Sequence, residues 1–303
     1  EYSSVIRSLV NAFFSLTNWI RETLIVAWLW LPHLSIARKR PVIPLVVSLT
    51  SHPGRIRRAW LSIETLLRQS VQPQALLLVL SEAEFPEKLI PSSLHSQTRR
   101  GLSILWVTDD NRSFDKLLPV RREHPNATIV TFDDDKYFPL TILDKLHKAA
   151  RAHPASIVGA RGWRIRPAPG NGVHYGENWE RLRAPAEGKD LLMPGGNGCL
   201  YPPNSLADTV DDVSAALVVC PTADDIWFWG AAQQSGTSSF CLGLPAHRPV
   251  GGQKKTSALS DVNHKANDRQ FQDALDYFNL RNLLSEMFAP TSQTTPRVTG
   301  HGV

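Results

Sequence analysis

From Val42 onward the chain alternates β-branched apolar runs with segments of helical spacing, and that order limits its fold more than any other feature. Val42 to Leu49 reads as a buried strand, with Thr50-Ser-His-Pro-Gly54 as its turn. Ile56 to Gln69 places Ala59, Ile63, Leu66 and Leu67 at helical spacing. Ala75 to Leu80, Leu102 to Val107, Thr128 to Phe132 and Ser156 to Ala160 read as further strands. Phe114 to Arg122 reads as a short helix. Pro139 opens another, with Leu140, Leu143, Leu146 and Ala150 as its apolar face. Strands joined through helices by short links predict an α/β fold of three layers, a mostly parallel mixed central sheet covered on both faces.

The second half is less regular. Pro167 to Pro194 is rich in Gly, Pro, Asn and charge, and reads as loops over a site. Gly195-Gly-Asn-Gly198 precedes Cys199-Leu-Tyr-Pro-Pro203 and reads as a turn or as a loop whose missing side chains allow close approach. Ala223 to Ala232 and Phe271 to Met287 are expected helices. With 42% hydrophobic and 20% charged residues, the 303-residue chain can bury a substantial core. The expected division is an N-terminal hydrophobic segment over 1–40, one catalytic domain over 41–288 and a disordered polar tail over 289–303.

Residues 5–34 are rich in Leu, Ile, Val, Phe and Trp and are followed by Arg38-Lys39-Arg40. No uncharged piece reaches the roughly 20 residues that a spanning helix needs. Trp19, Trp28 and Trp30 with basic flanks fit a helix lying in a membrane interface, and equally a helix packed on the domain. The expected location is cytoplasmic, peripheral on the inner membrane face. Cys199, Cys220 and Cys241, an odd count without CxxC spacing, give neither a disulfide framework nor a zinc site and suit a reducing compartment. The net charge of +5 fits an anionic partner. Without a basic stripe interleaved with aromatics, a nucleic-acid partner is not expected.

Two acidic blocks carry the chemistry. Asp133-Asp134-Asp135 ends the apolar run Ala127 to Phe132, where open α/β sheets bind ligands. Continued alternation would put Asp133 and Asp135 on one side and Asp134 on the other. Such a pair can hold Mg²⁺ or Mn²⁺ with positions open for substrate phosphates; a solvated turn is the plain alternative. The second block is Pro221-Thr-Ala-Asp-Asp225-Ile-Trp-Phe-Trp-Gly230. Thr222 and Asp225 have capping-box spacing, while either carboxylate could serve as a general base.

Three blocks together resemble bacterial family-2-type glycosyltransferases of the GT-A fold: Val47-Ser-Leu-Thr-Ser-His-Pro-Gly-Arg-Ile56, Thr131-Phe-Asp-Asp-Asp135, and Gly198-Cys-Leu-Tyr-Pro-Pro203 with Pro221-Thr-Ala-Asp-Asp-Ile-Trp227. The resemblance covers about residues 43–285. It implies a GT-A-like nucleotide-diphospho-sugar transferase fold and inverting transfer of a sugar from a nucleotide-sugar donor to a glycan or lipid-linked acceptor. Asp133 and Asp135 match the metal-binding pair for Mn²⁺ or Mg²⁺, with Asp134 beside the donor. Thr50, Ser51 and Arg55 fall where the nucleotide is contacted, Lys116 where a phosphate-contacting lysine is expected, and Gly196 in the loop under the sugar. Asp225 best matches the base, with Asp224 its rival.

Trp227 and Trp229 suit core packing better than sugar stacking. His247 and His264 are candidates for a third metal ligand, or surface histidines. Arg161 and Arg164 could meet a phosphate or a charged acceptor. Residues 165–194 depart most from the family pattern, so the acceptor is open. Two other functions stand beside this one: a metal-dependent phospho- or nucleotidyltransferase, and a non-catalytic module that binds carbohydrate or nucleotide-sugar.

Overall fold

The computed structural model describes residues 17–18, 20–31, 40–167, 172–252 and 257–288. β1 (Val42–Thr50), α1 (Ile56–Leu67), β2 (Gln72–Ser81), α2 (Ser92–Thr98) and β3 (Leu102–Val107) lead through a 3-10 turn at Arg112–Lys116 and α3 (Leu118–Glu123) to β4 (Thr128–Phe132). β5 (Lys136–Tyr137), α4 (Ile142–Ala152) and β6 (Ile157–Gly159) follow, then the short strands β7 (Trp163–Arg164), β8 (Glu180–Arg181), β9 (Ala186–Gly188) and β10 (Leu191–Leu192). β11 (Asn197–Tyr201), α5 (Val213–Val219), α6 (Asp224–Gln234), β12 (Ser239–Cys241), β13 (Arg248–Pro249), α7 (Ser257–Tyr277) and α8 (Arg281–Met287) come last.

Eight strands form the main sheet in the order β3-β2-β1-β4-β11-β6-β12-β9. β1 runs parallel to β2 and β4, and β2 to β3. β11 is antiparallel to both β4 and β6, and β12 is again parallel to β6. This is the expected α/β architecture with a mostly parallel mixed central sheet, in which β11 at the centre and β9 at the edge run reversed. Alternation along β1 explains the two covering layers. Leu45, Val47 and Leu49 pack toward α1 and α4, with Ile63, Leu66 and Leu146. Val46 packs on the other face, in the core that holds Trp227, Phe228 and Phe271. Trp227 is fully buried and donates its indole N–H to the Val210 carbonyl at 3.0 Å, which settles it as a core residue.

Several expectations need correcting. The Phe114–Arg122 helix is a 3-10 turn followed by α3, broken at Leu117. α4 starts at Ile142, not Pro139; Leu140 is exposed, and Ile142, Leu143, Leu146 and Ala149 face the core. The single C-terminal helix is two, because Asn279 takes a left-handed φ of 56°, which asparagine tolerates, between α7 and α8. Gly195 to Gly198 is not wholly a loop, since Asn197 begins the central strand β11. The capping box does not form: α6 starts at Asp224 after Ala223, without a side-chain cap. Thr222 is held elsewhere, its N–H donating to Gln270 Oε1 at 2.9 Å.

Residues 17–29, residue 19 apart, are helical and dock on the domain. Leu29 packs with Leu61, Tyr137 and Val250. Glu22 accepts from the Tyr137 hydroxyl at 2.5 Å and from the Gly251 N–H at 2.8 Å. The helix still exposes Ile20, Leu24 and Trp28, with Trp30 and Leu31 beyond its end. No helix among the described residues is long and apolar enough to cross a membrane. Residues 5–16 and the tail 289–303 lie outside the described residues.

Candidate active site

The two acidic blocks meet at the carboxyl end of β1 and β4. β4 and β11 are antiparallel neighbours, and their ladder continues one step past Phe132, where the Asp133 N–H donates to the Gly196 carbonyl at 3.1 Å. The chain then turns at Asp134 and Asp135 before β5. Strand alternation therefore stops, and the three carboxylates do not divide as the strand pattern expects. Asp133 accepts from Lys116 Nζ at 3.0 Å on one oxygen and from Lys136 Nζ at 2.6 Å on the other. Asp134 is buried and accepts from the Ser51 hydroxyl at 2.5 Å. Arg55 spans the remaining two, 3.1 Å from Asp134 and 3.0 Å from Asp135.

These charges tune one another. Burial pushes Asp133 up, but Lys116 and Lys136 outweigh it and hold the carboxyl well below its ordinary range. Burial raises Asp134 despite Arg55 and Ser51. For Lys116, burial acts downward, and Asp133, Asp224 and Asp225 together keep it above the ordinary lysine value. Lys116 is thus a buried cation.

Lys116 joins the blocks, since its Nζ also lies 3.2 Å from Asp224 Oδ2. Next to it, Asp225 accepts from the Gly195 N–H at 2.7 Å. Burial and then the neighbouring Asp224 push Asp225 up to about 7, against the pull of Lys116 and of that N–H. Its environment is the one that poises a carboxylate as a base near neutral pH. Gly196 is needed for a steric reason. A Cβ there would stand 1.8 Å from Asp133 Oδ2, so no other residue lets the loop lie against that carboxylate.

A cavity of about 310 Å³ opens beside these groups, lined by Thr50, Ser51, Arg55, Lys116, Asp133 and Thr222 among others. Thr50 is tied down by donating to the Val79 carbonyl at 3.0 Å. Sequence reasoning missed three residues of this site. Lys136 directly follows the acidic triplet, which could have flagged it. Arg112, at a left-handed φ of 57°, donates to the Pro221 carbonyl at 3.0 Å and ties the loop after β3 to the second acidic block. Asp115 lines the cavity, and burial raises it to about 6 against two hydrogen bonds from Asn111.

The carboxylate oxygens suit a hard divalent cation. Asp135 Oδ1 is buried without a hydrogen-bond partner, as an unmet ligand atom would be. Asp133 differs, because both of its oxygens are already engaged by lysines. No three His, Cys, Asp or Glu side chains among the described residues gather as a complete protein-only metal site. His247 bonds to the Asn197 carbonyl at 2.9 Å, and the His264 side chain lies outside the described residues. Arg164 is committed to Asp190, at 2.6 and 2.7 Å, whereas Arg161 lies over the Trp163 ring at 4.9 Å.

No family model and no curated protein matches the chain. Among solved structures it is similar to S. aureus TarS 1-349 in complex with UDP-GlcNAc, at 11% identity and a TM-score of 0.49, over 80% of this chain and 67% of that one. Against the UDP complex of TarS 1-349 the values are 10% and 0.44, over 68% of this chain, which spans 59% of that one. A 4-diphosphocytidyl-2C-methyl-D-erythritol synthase matches at 11% identity and a TM-score of 0.42, over 76% of this chain and 100% of its own.

Proposed function

We propose that this chain is a glycosyltransferase that moves a sugar from a nucleotide-diphosphate donor to an acceptor hydroxyl, with inversion. The observation that supports it most is Lys116, which stands 3.0 Å from Asp133 and 3.2 Å from Asp224 and so joins the two acidic blocks in one site. In this reading the donor diphosphate lies in the cavity beside Lys116, Lys136, Arg55 and Arg112. Those four cations attract it and stabilise the charge that grows on it as the sugar bond breaks. Asp225 takes the proton of the acceptor hydroxyl, a role that its pKa of about 7 suits. Lys116 keeps Asp224 paired while Asp225 works.

A Mg²⁺ or Mn²⁺ ion would be held by Asp135 together with substrate phosphates, with Asp133 kept in place by its lysines. When bound, the ion supplies Lewis-acid neutralisation of the diphosphate. The docked N-terminal helix and the exposed side chains at its end would turn their apolar side to a membrane surface, near a lipid-linked acceptor.

The test is a panel of nucleotide-sugars in which the released nucleotide is identified. Release of a nucleoside diphosphate from one donor supports sugar transfer. Release of a nucleoside monophosphate, or of pyrophosphate from a nucleoside triphosphate, would assign the site to phosphoryl or nucleotidyl chemistry instead.

A further inference from the structure

The ribbon of β7 and β8 sorts its charges by face. Trp163 pairs with Arg181, and Arg164 with Glu180. Directly opposed residues share a face, and successive residues alternate. On one face the charges are matched: Arg164 meets Asp190 at 2.6 Å, and Arg166 meets Glu180 at 2.8 Å. The other face carries Trp163 and Arg181, with Arg161 and Arg183 each two positions from that pair. Arg161 stacks on Trp163 at 4.9 Å, and its Nε is buried without a hydrogen-bond partner. Among the described residues neither Arg161, Arg181 nor Arg183 has a carboxylate within ion-pair reach. Burial and the nearby Arg181 hold Arg161 below the ordinary arginine value. Arg181 and Arg183 are exposed and Arg161 is partly buried, and like charges gathered on one face repel unless an anion joins them.

A second cavity, of about 250 Å³, lies between Arg181, Leu182 and Arg183 on one side and Gly243, Leu244 and Pro245 on the other. Both walls are fastened to the end of β6: the Leu182 N–H donates to the Gly162 carbonyl at 3.1 Å, and the Leu244 N–H to the Ala160 carbonyl at 2.8 Å. Gly243, at a φ of 67°, lets the walls approach, since a Cβ there would meet the Ala184 backbone at 2.5 Å. The catalytic loop is close. Gly162 lies against Met193, whose Sδ would be 2.6 Å from a Cβ on that glycine, and Met193 is two residues before Gly195, the partner of Asp225.

We propose that this second cavity is an acceptor subsite for a phosphate group, gripped by Arg181 and Arg183 on its wall, with Arg161 beside them on the same ribbon face. The inference rests on the glycosyltransferase reading above, in which Asp225 faces the acceptor. Guanidinium forks match phosphate oxygens two at a time. Three of them suit a group with a charge of about −2 better than a single carboxylate. The phosphate could belong to a soluble glycan phosphate or to a lipid headgroup.

The test compares the wild type with an Arg181→Gln/Arg183→Gln double variant by calorimetry. Nucleoside diphosphates are titrated first. Equal binding to both proteins is expected and shows that the variant is folded. Inorganic phosphate, glycerol phosphate and acetate are then titrated into each protein loaded with the nucleotide that bound. The expected result is phosphate binding to the wild type that weakens by about tenfold or more in the variant. Phosphate binding that is equal in the two proteins, or absent from both, overturns the subsite, and acetate binding as tight as phosphate overturns its assignment to phosphate. If no nucleotide binds either protein, the donor reading fails, and the phosphate titrations on the free proteins still decide the subsite. Vesicles that contain phosphatidic acid, a phosphate monoester, and vesicles of phosphatidylcholine separate the sources. Arginine-dependent capture by the anionic vesicles alone marks a lipid headgroup, and capture that ignores the variant marks a soluble phosphate.

Discussion

The Lys116 ammonium lies 3.2 Å from the Asp224 carboxylate while also holding Asp133 at 3.0 Å. One buried cation thereby ties the end of β4 to the start of α6, and the proposed chemistry depends on that tie.

Replacing Lys116 with Met should remove activity and lower stability together. Asp133 would keep Lys136, but Asp224 would lose its ion-pair partner in a buried setting. Breaking a buried pair from one side costs about 3–5 kcal/mol, and the remaining lysine places this variant near the low end. Urea unfolding gives the stability. An unchanged midpoint would show that Lys116 is not the link described.

Gly196→Ala should act first on Asp133. The new Cβ would fall 1.8 Å from Asp133 Oδ2, so the carboxylate must leave its lysines or the loop must move. Donor binding measured by calorimetry should weaken by about tenfold or more, on the scale of a displaced charged hydrogen bond, while Gly195→Ala, with its nearest contact at 3.1 Å, should weaken it less.

The pH dependence follows from Asp225. As a base it must be ionised, so turnover should rise with pH up to about 7 and level off above it. The stability effect has the opposite sign. A folded-state pKa raised above the unfolded value of about 3.9 means that the folded protein binds more protons. The Asp225 contribution is full below the unfolded pKa and is lost as pH climbs through about 7. A pH–rate profile without a limb near 7 would remove Asp225 from its role.

Asp135→Asn should abolish any divalent-ion response and leave the fold intact. Electron paramagnetic resonance of Mn²⁺ with a bound nucleoside diphosphate reads this without turnover. The wild type should immobilise Mn²⁺ and the variant should not. Ion binding that persists in Asp135→Asn would place the ligand elsewhere.

The N-terminal helix gives a separate prediction. Leu24→Gln with Leu31→Gln changes exposed side chains, not those packed on Leu61 and Val250. Sedimentation with anionic vesicles should fall while the thermal midpoint is unchanged. Vesicle binding equal to wild type would leave this face without a membrane role.

The sequence showed the first half of the fold well because β1, β2 and β4 each carry an apolar run, the pattern that burial on both faces imposes, and the partly buried edge strand β3 keeps most of that character. β11 was obscured. Gly196, just before it, lies against Asp133, and Gly198 within it lies against Phe132, so its start resembles a turn although all five of its residues are buried. Asp133, Asp225, Lys116 and Arg55 were legible as types at recognisable spacings. Their partners were not, since Lys116–Asp224 and Arg112–Pro221 join residues far apart in the chain. The capping-box spacing of Thr222 and Asp225 misled because Gln270, from α7, takes Thr222 first.

The central claim is best tested by donor turnover in Asp225→Asn. With the donor that the wild type cleaves, the variant should bind as tightly and release nucleoside diphosphate about 100- to 10,000-fold more slowly, the range that a lost general base imposes. Turnover at the wild-type rate, with donor binding intact, would contradict the account.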